Sequence, residues 1–141
     1  MSLSLWFQRK MNARTATRIR RKGGSMMGME VLILHTVGRK SGAPRETPLS
    51  WFADGADRLV IASGGGDRNP DWYANLRANP SQVAVELHGE PVTPVVATRL
   101  DGADREQAWA RIVEAQPRYA KYQKKSDRQY PLVRLSHHDN V

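Results

Sequence analysis

A loop spanning residues 38–45 combines glycine, a hydroxyl group and cationic side chains in a short stretch. Gly38 and Gly42 free the backbone to present N–H groups, and Ser41 adds a hydroxyl donor. The cations of the loop are Arg39, Lys40 and Arg45. Guanidinium forks and fixed backbone donors match the oxygens of phosphate and carboxylate groups. The loop therefore predicts an anion site, with a solvated basic turn as the alternative, and it lacks the order and spacing of a Walker loop.

A second glycine-containing loop lies between a predicted strand and a predicted helix. Its glycine run, Gly64 to Gly66, permits close approach of the backbone to a ligand. The helix that follows begins at Asp71 and would direct free N–H groups toward an anion. Trp72 and Tyr73 are adjacent, so we expect them to face different sides, with at most one in the core. The alternative is a flexible glycine loop with no function.

The cysteine, metal-ligand and tyrosine content limits the reactions that the chain could catalyse. The chain has no cysteine, which excludes disulfides and thiol catalysis and fits a reducing compartment. No His, Asp and Glu set has metal-ligand spacing, so we expect no metal. Tyr119 and Tyr122 share one face of a predicted helix, where ordinary packing is the simpler explanation.

Length and charge limit the classes of protein. The 141 residues suit a single domain, and no apolar run is long enough to span a membrane or form a secretory signal. The net charge of +8 is unevenly distributed: residues 1–45 carry +9, residues 46–117 carry −5 and residues 118–134 carry +5. Such blocks suit nucleic acid, an anionic membrane or an acidic small molecule. Aromatic residues make up only 7% and few flank the basic loops, which disfavours single-strand nucleic-acid binding.

The elements that would position these loops are mostly short strands. Residues 3–22 predict a basic helix ended by Gly23 and Gly24, which could lie on an anionic bilayer or on the barrel. Strands are predicted at residues 31–36, 46–53, 58–63, 83–87, 92–98 and 132–135. Pro48 interrupts the second of them, which indicates an edge strand or a bulge there. Helices are predicted at residues 71–79, 101–115 and 118–125, and hairpin turns at residues 54–57 and 88–90. The pattern predicts the α+β class, a small barrel of mostly antiparallel strands with flanking helices.

Both loops, in this order and spacing, resemble the deazaflavin-dependent nitroreductase and quinone reductase family of split β-barrel oxidoreductases, which use coenzyme F420. The resemblance covers residues 31–135. It rests on residues 36–42, 44–45 and 48–49, then on residues 62–66, and then on Asn69-Pro70-Asp71-Trp72-Tyr73 with Asn75 and the run to Pro80. Residues 119–123 and 131–133 are similar to the C-terminal segment of the family.

The resemblance implies a split β-barrel over residues 25–141, preceded by the basic helix within residues 1–24, that binds the polyanionic F420. It implies a grip on the phosphate and acidic tail by Arg39, Lys40, Ser41 and Arg45. The deazaflavin ring would be lined by Thr47, Pro48 and Leu49, with an opposite rim of Ile61, Ala62, Ser63, Gly64, Gly65 and Gly66. Trp72, Tyr73 and Asn75 would close the site, and the catalytic hydroxyls would be Ser63, Tyr119 and Tyr122.

The implied activity is hydride transfer from F420H2 to an electron-poor acceptor such as a quinone, an activated enone or a nitroaromatic compound. Two positions depart from the family: Gly64 stands where members often have Lys, with Arg68 as the available replacement, and Gln116 stands where some nitroreducing members have Tyr. We therefore expect a cytoplasmic enzyme without a nucleic-acid partner. A homodimer and a peripheral membrane contact through residues 3–22 stay open. The alternatives are a split barrel binding FMN or a haem-like ligand, and a basic module for membrane or nucleic acid.

Overall fold

The structure, a computed structural model, describes residues 25–26, 29–63 and 68–137. The predicted helix at residues 3–22, the pair Gly23 and Gly24, and the run from Gly64 to Gly66 lie outside the described residues. Within the described part, no helix is both long and apolar enough to cross a membrane.

Eight strands in the described part form one curled antiparallel sheet. They are β1 (Ser25–Met26), β2 (Met29–Val37), β3 (Pro44–Ser50), β4 (Phe52–Asp54), β5 (Asp57–Ile61), β6 (Ala84–Glu86), β7 (Thr93–Arg99) and β8 (Leu132–His137). Along the sheet the order is β1-β2-β6-β7-β8-β5-β4, and β3 pairs with the other edge of β2. The turns between β4 and β5 and between β6 and β7 contain Gly55 (φ 61°) and Gly89 (φ 79°), as the hairpin predictions require.

Trp51 joins the two ends of this sheet. The strand β3 pairs with β2, whereas β4 pairs with β5 at the far end, and Trp51 alone separates β3 from β4. Consecutive residues cannot be far apart, so the two sheet ends meet here and the sheet curls into a split barrel. The interruption expected at Pro48 falls instead at Trp51, since Pro48 pairs with Ile33 inside β3, but the edge position that Pro48 indicated is confirmed. Pro48 is tolerated because β3 has only one partner strand among the described residues.

Alternation along the strands produces two large apolar clusters, one on each face of the sheet, and a small one of Val31 and Ile33. Val60 and Ala62 belong to the inner cluster, while Leu59 and Ile61 belong to the outer one. The inner cluster includes Leu32, Leu34, Val85, Val95, Val133 and Leu135. The outer cluster includes Leu100, Ala108, Ile112, Tyr130 and Leu132.

Three helices in the described part cover these clusters. They are α1 (Asp71–Ala78), α2 (Gly102–Ala115) and α3 (Arg118–Lys124). Trp72, Tyr73 and Leu76 of α1 pack into the inner cluster. Ala108 and Ile112 of α2 pack into the outer cluster, with Tyr119 of α3 against it. All three helices lie within one residue of the predicted bounds, and Pro80 and Pro117 follow the first two closely.

Candidate functional site

The loop between β2 and β3 is closed by its own hydrogen bonds. The Gly38 N–H donates to the Ala43 carbonyl at 2.9 Å, and the Gly42 N–H donates to the Gly38 carbonyl at 2.8 Å. Gly42 has φ 70°, a conformation that favours glycine. The Ser41 Oγ accepts from the Ala43 N–H at 3.1 Å and from Arg45 Nη2 at 3.2 Å. Ser41 therefore shapes the loop and holds the Arg45 guanidinium beside it.

Arg39 attaches this loop to the helix α1. Its backbone N–H and its Nη1 both donate to Asn75 Oδ1, at 3.1 and 2.9 Å, and its Nη2 lies 3.4 Å from Asp71 Oδ1. Asn75 is buried, so this amide is a fixed anchor. The glycine run comes shortly before α1 in the chain, so the contact joins the loop to the helix that follows that run. It also means that the Arg39 guanidinium already has partners within the fold.

Two other cations on the loop keep their charge available. Lys40 is exposed and has no carboxylate within ion-pair distance in the described part of the chain. Among the described residues, Arg45 donates only to neutral oxygens, those of Ser41 and of the Pro44 carbonyl. An ammonium and a guanidinium on one turn, both without an acidic partner, form a suitable binding surface for an anionic ligand.

The predicted ring-lining residues of β3 point to both sides of the strand. Thr47 and Leu49 pair with Leu34 and Leu32, so they share the inner face, and Leu49 packs against the inner cluster. Pro48 pairs with Ile33 and faces the other side. The structure therefore brings two of these three side chains to one face.

The end of β5 and the start of α1 contribute buried side chains. Ile61 lies in the outer cluster and Ala62 in the inner cluster, so they do not share a face. Ser63 follows, partly buried. The expectation that Trp72 and Tyr73 face different sides is wrong, since both are buried in the inner cluster with their rings 6.2 Å apart and perpendicular. Both rings therefore pack on the same side of the helix, against the strands of the inner cluster.

The tyrosine pair on α3 packs as a chain of edge-on aromatic contacts. The Tyr119 ring lies 5.7 Å from the Tyr122 ring and 5.8 Å from the Phe52 ring of β4. Burial raises the pKa of the Tyr119 phenol, an effect that Arg118 partly offsets and Tyr122 adds to. Tyr122 is 40% exposed, a high value for a large aromatic side chain. The pair therefore presents one partly buried and one exposed hydroxyl-bearing ring.

Arg128, in the connection between α3 and β8, is a residue that the sequence reasoning did not single out. Its guanidinium donates to oxygens of Ala62 and Ser63 on one side of the glycine run, and of Arg68 and Asn69 on the other. The only sequence signal was its place in the second basic block. Gln116, at the position that departs from the family, accepts from Arg118 Nη2 at 2.7 Å.

The described residues hold no group of His, Cys, Asp and Glu side chains that could bind a metal ion. The curled sheet split at Trp51 defines a split β-barrel protein, and the loop between β2 and β3 carries cations that suit an anionic ligand. Solved structures below 25% identity show the same fold. They include a pyridoxamine 5'-phosphate oxidase-like protein of Listeria innocua (TM-score 0.54, 14% identity, 77% of this chain and 83% of that one).

The chain belongs to the F420H(2)-dependent quinone reductase family, whose model matches residues 6–137. It is 34% identical to an F420H(2)-dependent quinone reductase of Mycobacterium tuberculosis over 96% of this chain and 99% of that protein. A solved F420-H2 dependent reductase, FDR-A, has a TM-score of 0.65 and 39% identity over 75% of this chain and 93% of its own. A structure titled as a domain-swapped dimer has a TM-score of 0.67 and 33% identity over 96% of this chain and all of its own.

The protein is thus an F420-dependent reductase, and coenzyme F420 is its cofactor. The residues at the barrel mouth fit that group. F420 carries a phosphodiester and an oligoglutamate tail, and the unpaired charges of Lys40 and Arg45 complement such a polyanion. The inner face beside Leu49 supplies apolar surface for a ring.

Proposed function

We propose that this chain reduces a quinone with F420H2, in a site formed by residues 38–45, the start of α1 and the end of β5. The contact of Arg39 with Asn75 carries the proposal, because it joins the cationic loop to the helix that follows the glycine run. The quinone as acceptor is supported by the family and by the name of the Mycobacterium tuberculosis relative.

The loop would hold the charged part of the cofactor. Lys40 and Arg45 would bind the phosphodiester and the acidic tail, with Ser41 orienting the Arg45 guanidinium. Arg39 would contribute by anchoring the loop to α1, because Asn75 already accepts from its backbone N–H and Asn75 and Asp71 occupy its guanidinium. Thr47 and Leu49 would face the ring from the inner side of β3, while Pro48 would contribute only backbone.

The other rim of the ring site would come from the end of β5 and from α1. Ala62 and Ser63 would contact the ring through backbone, together with Gly64, Gly65 and Gly66. Ile61 would support this rim from the outer cluster. Trp72 and Tyr73 would act from below as a buried aromatic floor, with Asn75 holding the loop in place.

The chemistry that F420H2 supplies when bound is hydride donation from C5 of the deazaflavin. The chain's part would be to hold the acceptor at reacting distance and to stabilise the negative charge that develops on its oxygen. The hydroxyls of Ser63, Tyr119 and Tyr122 are the proposed donors. Because burial raises the pKa of the Tyr119 phenol, the hydroxyl stays protonated into alkaline solution and can donate a hydrogen bond there. Loss of one hydroxyl should give a graded defect, since others share the task.

The test is turnover of F420H2 with a small naphthoquinone, followed by the absorbance of the oxidised deazaflavin, beside a nitroaromatic compound and an activated enone. We expect F420H2 to reduce the quinone faster than the other two acceptors. Reduced FMN should not replace F420H2, and FMN should not copurify. Protein that carries FMN and ignores F420 would instead support the FMN-binding alternative. Salt-sensitive nucleic-acid binding without turnover would support the basic-module alternative.

A homodimer and a membrane contact are further proposals. The homodimer is supported by the 33% identical structure titled as a domain-swapped dimer, and sedimentation of the full chain as a monomer at all concentrations would contradict it. Contact with anionic membrane through residues 3–22 is supported by the basic composition of that stretch. Equal flotation on anionic liposomes with and without those residues would contradict that contact. We propose a cytoplasmic enzyme, consistent with the absence of cysteine.

A further inference from the structure

Arg128 connects both sides of the glycine run through one side chain. Its Nη1 donates to the Ala62 carbonyl at 3.1 Å and to Asn69 Oδ1 at 2.9 Å. Its Nη2 donates to the Ser63 carbonyl and to the Arg68 carbonyl, the latter at 2.9 Å. Each terminal nitrogen therefore bridges one oxygen before the run and one oxygen after it.

The planar guanidinium is the group that can make this pattern. Its donors lie in a fixed fork, so four oxygens held by one fork are also held relative to each other. A lysine ammonium at the same position carries the same charge on a single nitrogen and cannot keep both arms of the bridge. Two of the acceptors are carbonyl groups of residues 62 and 63, which the proposed function places at the cofactor ring.

The Arg128 backbone is itself fixed by α3 and by the residues just after that helix. Gln123 Nε2 donates to the Arg128 carbonyl at 2.8 Å, and Ser126 Oγ lies 3.1 Å from the same oxygen. The guanidinium also stacks over the Tyr130 ring, 5.1 Å from its centroid. Tyr130 in turn donates its hydroxyl to the Tyr122 carbonyl at 3.0 Å. The helix that carries Tyr119 and Tyr122 is thus linked through Arg128 to the end of β5.

We propose that Arg128 is a positioning residue for F420: it fixes the distance between residues 62–63 and residues 68–69, and it sets α3 relative to the ring site. This inference rests on the proposed function. It assigns Arg128 no contact with the cofactor or the acceptor. Its effect passes through the backbone of Ala62 and Ser63.

The test is Arg128→Lys in the full chain, with F420 affinity measured by the fluorescence of the deazaflavin. We expect the Kd for F420 to rise by about tenfold or more, because a single ammonium cannot hold residues 62–63 and residues 68–69 at their fixed distance. Arg128→Ala should lose at least as much, and millimolar guanidinium ion should restore part of that loss. Rescue by guanidinium would not be expected for a general loss of stability.

Arg105→Lys is the matched control. Arg105 is a buried arginine whose Nη2 donates to the Tyr130 carbonyl at 2.7 Å and whose guanidinium stacks over Trp109. Its replacement should lower the Tm and leave the Kd for F420 within about twofold of wild type. Should Arg128→Lys fail to fold, Asn69→Ala removes one of the four acceptors and should weaken F420 binding by a smaller factor.

Two results would overturn the inference separately from the proposed function. Wild-type protein that binds F420, together with Arg128→Lys or Asn69→Ala protein of unchanged Kd, would exclude Arg128 as a positioning residue and leave the proposed function standing. Equal weakening by Arg105→Lys would also exclude it, since the effect would then follow stability. Wild-type protein that does not bind F420 would overturn the proposed function, and this inference with it.

Discussion

The phenol of Tyr119 gives the site a pH dependence that can be measured at a single residue. Burial raises the pKa of this phenol in the folded chain, whereas the unfolded chain has the ordinary value of about 10. The contribution of this phenol to stability is therefore fully present below about pH 10. It is lost as the pH rises through the higher folded-state pKa, because the phenol ionises first in the unfolded chain. The unfolding free energy of Tyr119→Phe, measured with denaturant, should therefore decline less than that of the wild-type chain between about pH 9 and pH 11.

Tyr122→Phe is the control for this prediction, because it removes a hydroxyl from the same helix at a 40% exposed position. It should keep most of the alkaline decline of the wild-type chain. An identical decline in Tyr119→Phe and wild type would show that burial of this phenol does not contribute.

Individual site residues could be predicted from the sequence when their partners are local. The loop of residues 38–45 was identified because glycine, serine and cations lie side by side, and its internal hydrogen bonds span only a few residues. The bond from Arg39 to Asn75 crosses 36 positions, and those from Arg128 to Ala62 and Ser63 cross 66 and 65. No local pattern records such pairs, because they exist only once the barrel has formed.

At the scale of elements, the loop between β2 and β3 depends on the absence of a side chain at Gly38. A Cβ there would lie 2.7 Å from Ser41 Oγ, closer than real contacts allow. Gly38→Ala must therefore displace the hydroxyl that accepts from Ala43 and Arg45, and we expect a loss of about 1–3 kcal/mol in unfolding free energy. In a Ser41→Ala background the same change should cost less, because the clashing oxygen is gone. A double-mutant cycle measures this coupling, and strict additivity would contradict it.

Most elements follow from alternation and from turn residues, but their junctions do not. Turn signals at Gly55 and Gly89 lie between the paired strands that they predicted. The break at Trp51 escaped prediction because Pro48 is the stronger local signal, whereas the real cause is that one strand must change partners to close the sheet. Similarly, Trp72 and Tyr73 share one cluster because both large rings find apolar neighbours in the inner cluster, a tertiary effect that adjacent positions in the sequence do not indicate.

Over the whole molecule, charge and fold lead to the same conclusion. The sequence alone predicted an antiparallel barrel, while the split barrel and the F420 cofactor required the resemblance carried by both loops in register. The boundary proposed at residue 24 stays a prediction, since that part of the chain is outside the described residues. The basic blocks enclose an acidic middle, and the described part of the first block places Lys40 and Arg45 beside the mouth of the barrel.

This arrangement predicts that F420 is attracted largely through its tail. Raising the salt concentration from about 0.1 M to about 1 M shortens the Debye length from about 10 Å to about 3 Å, which should weaken F420 binding strongly. A deazaflavin riboside without the phosphodiester and tail should bind more weakly, with little dependence on salt.

Lys40→Ala should cost about 1–3 kcal/mol of F420 binding free energy at low salt and flatten the salt dependence, because a cation without an acidic partner among the described residues is removed. Lys124→Ala makes the same charge change at an exposed position on α3, and it should change neither the F420 affinity nor its salt dependence by much. Equal effects of the two variants would mean that net charge, rather than the loop, attracts the cofactor.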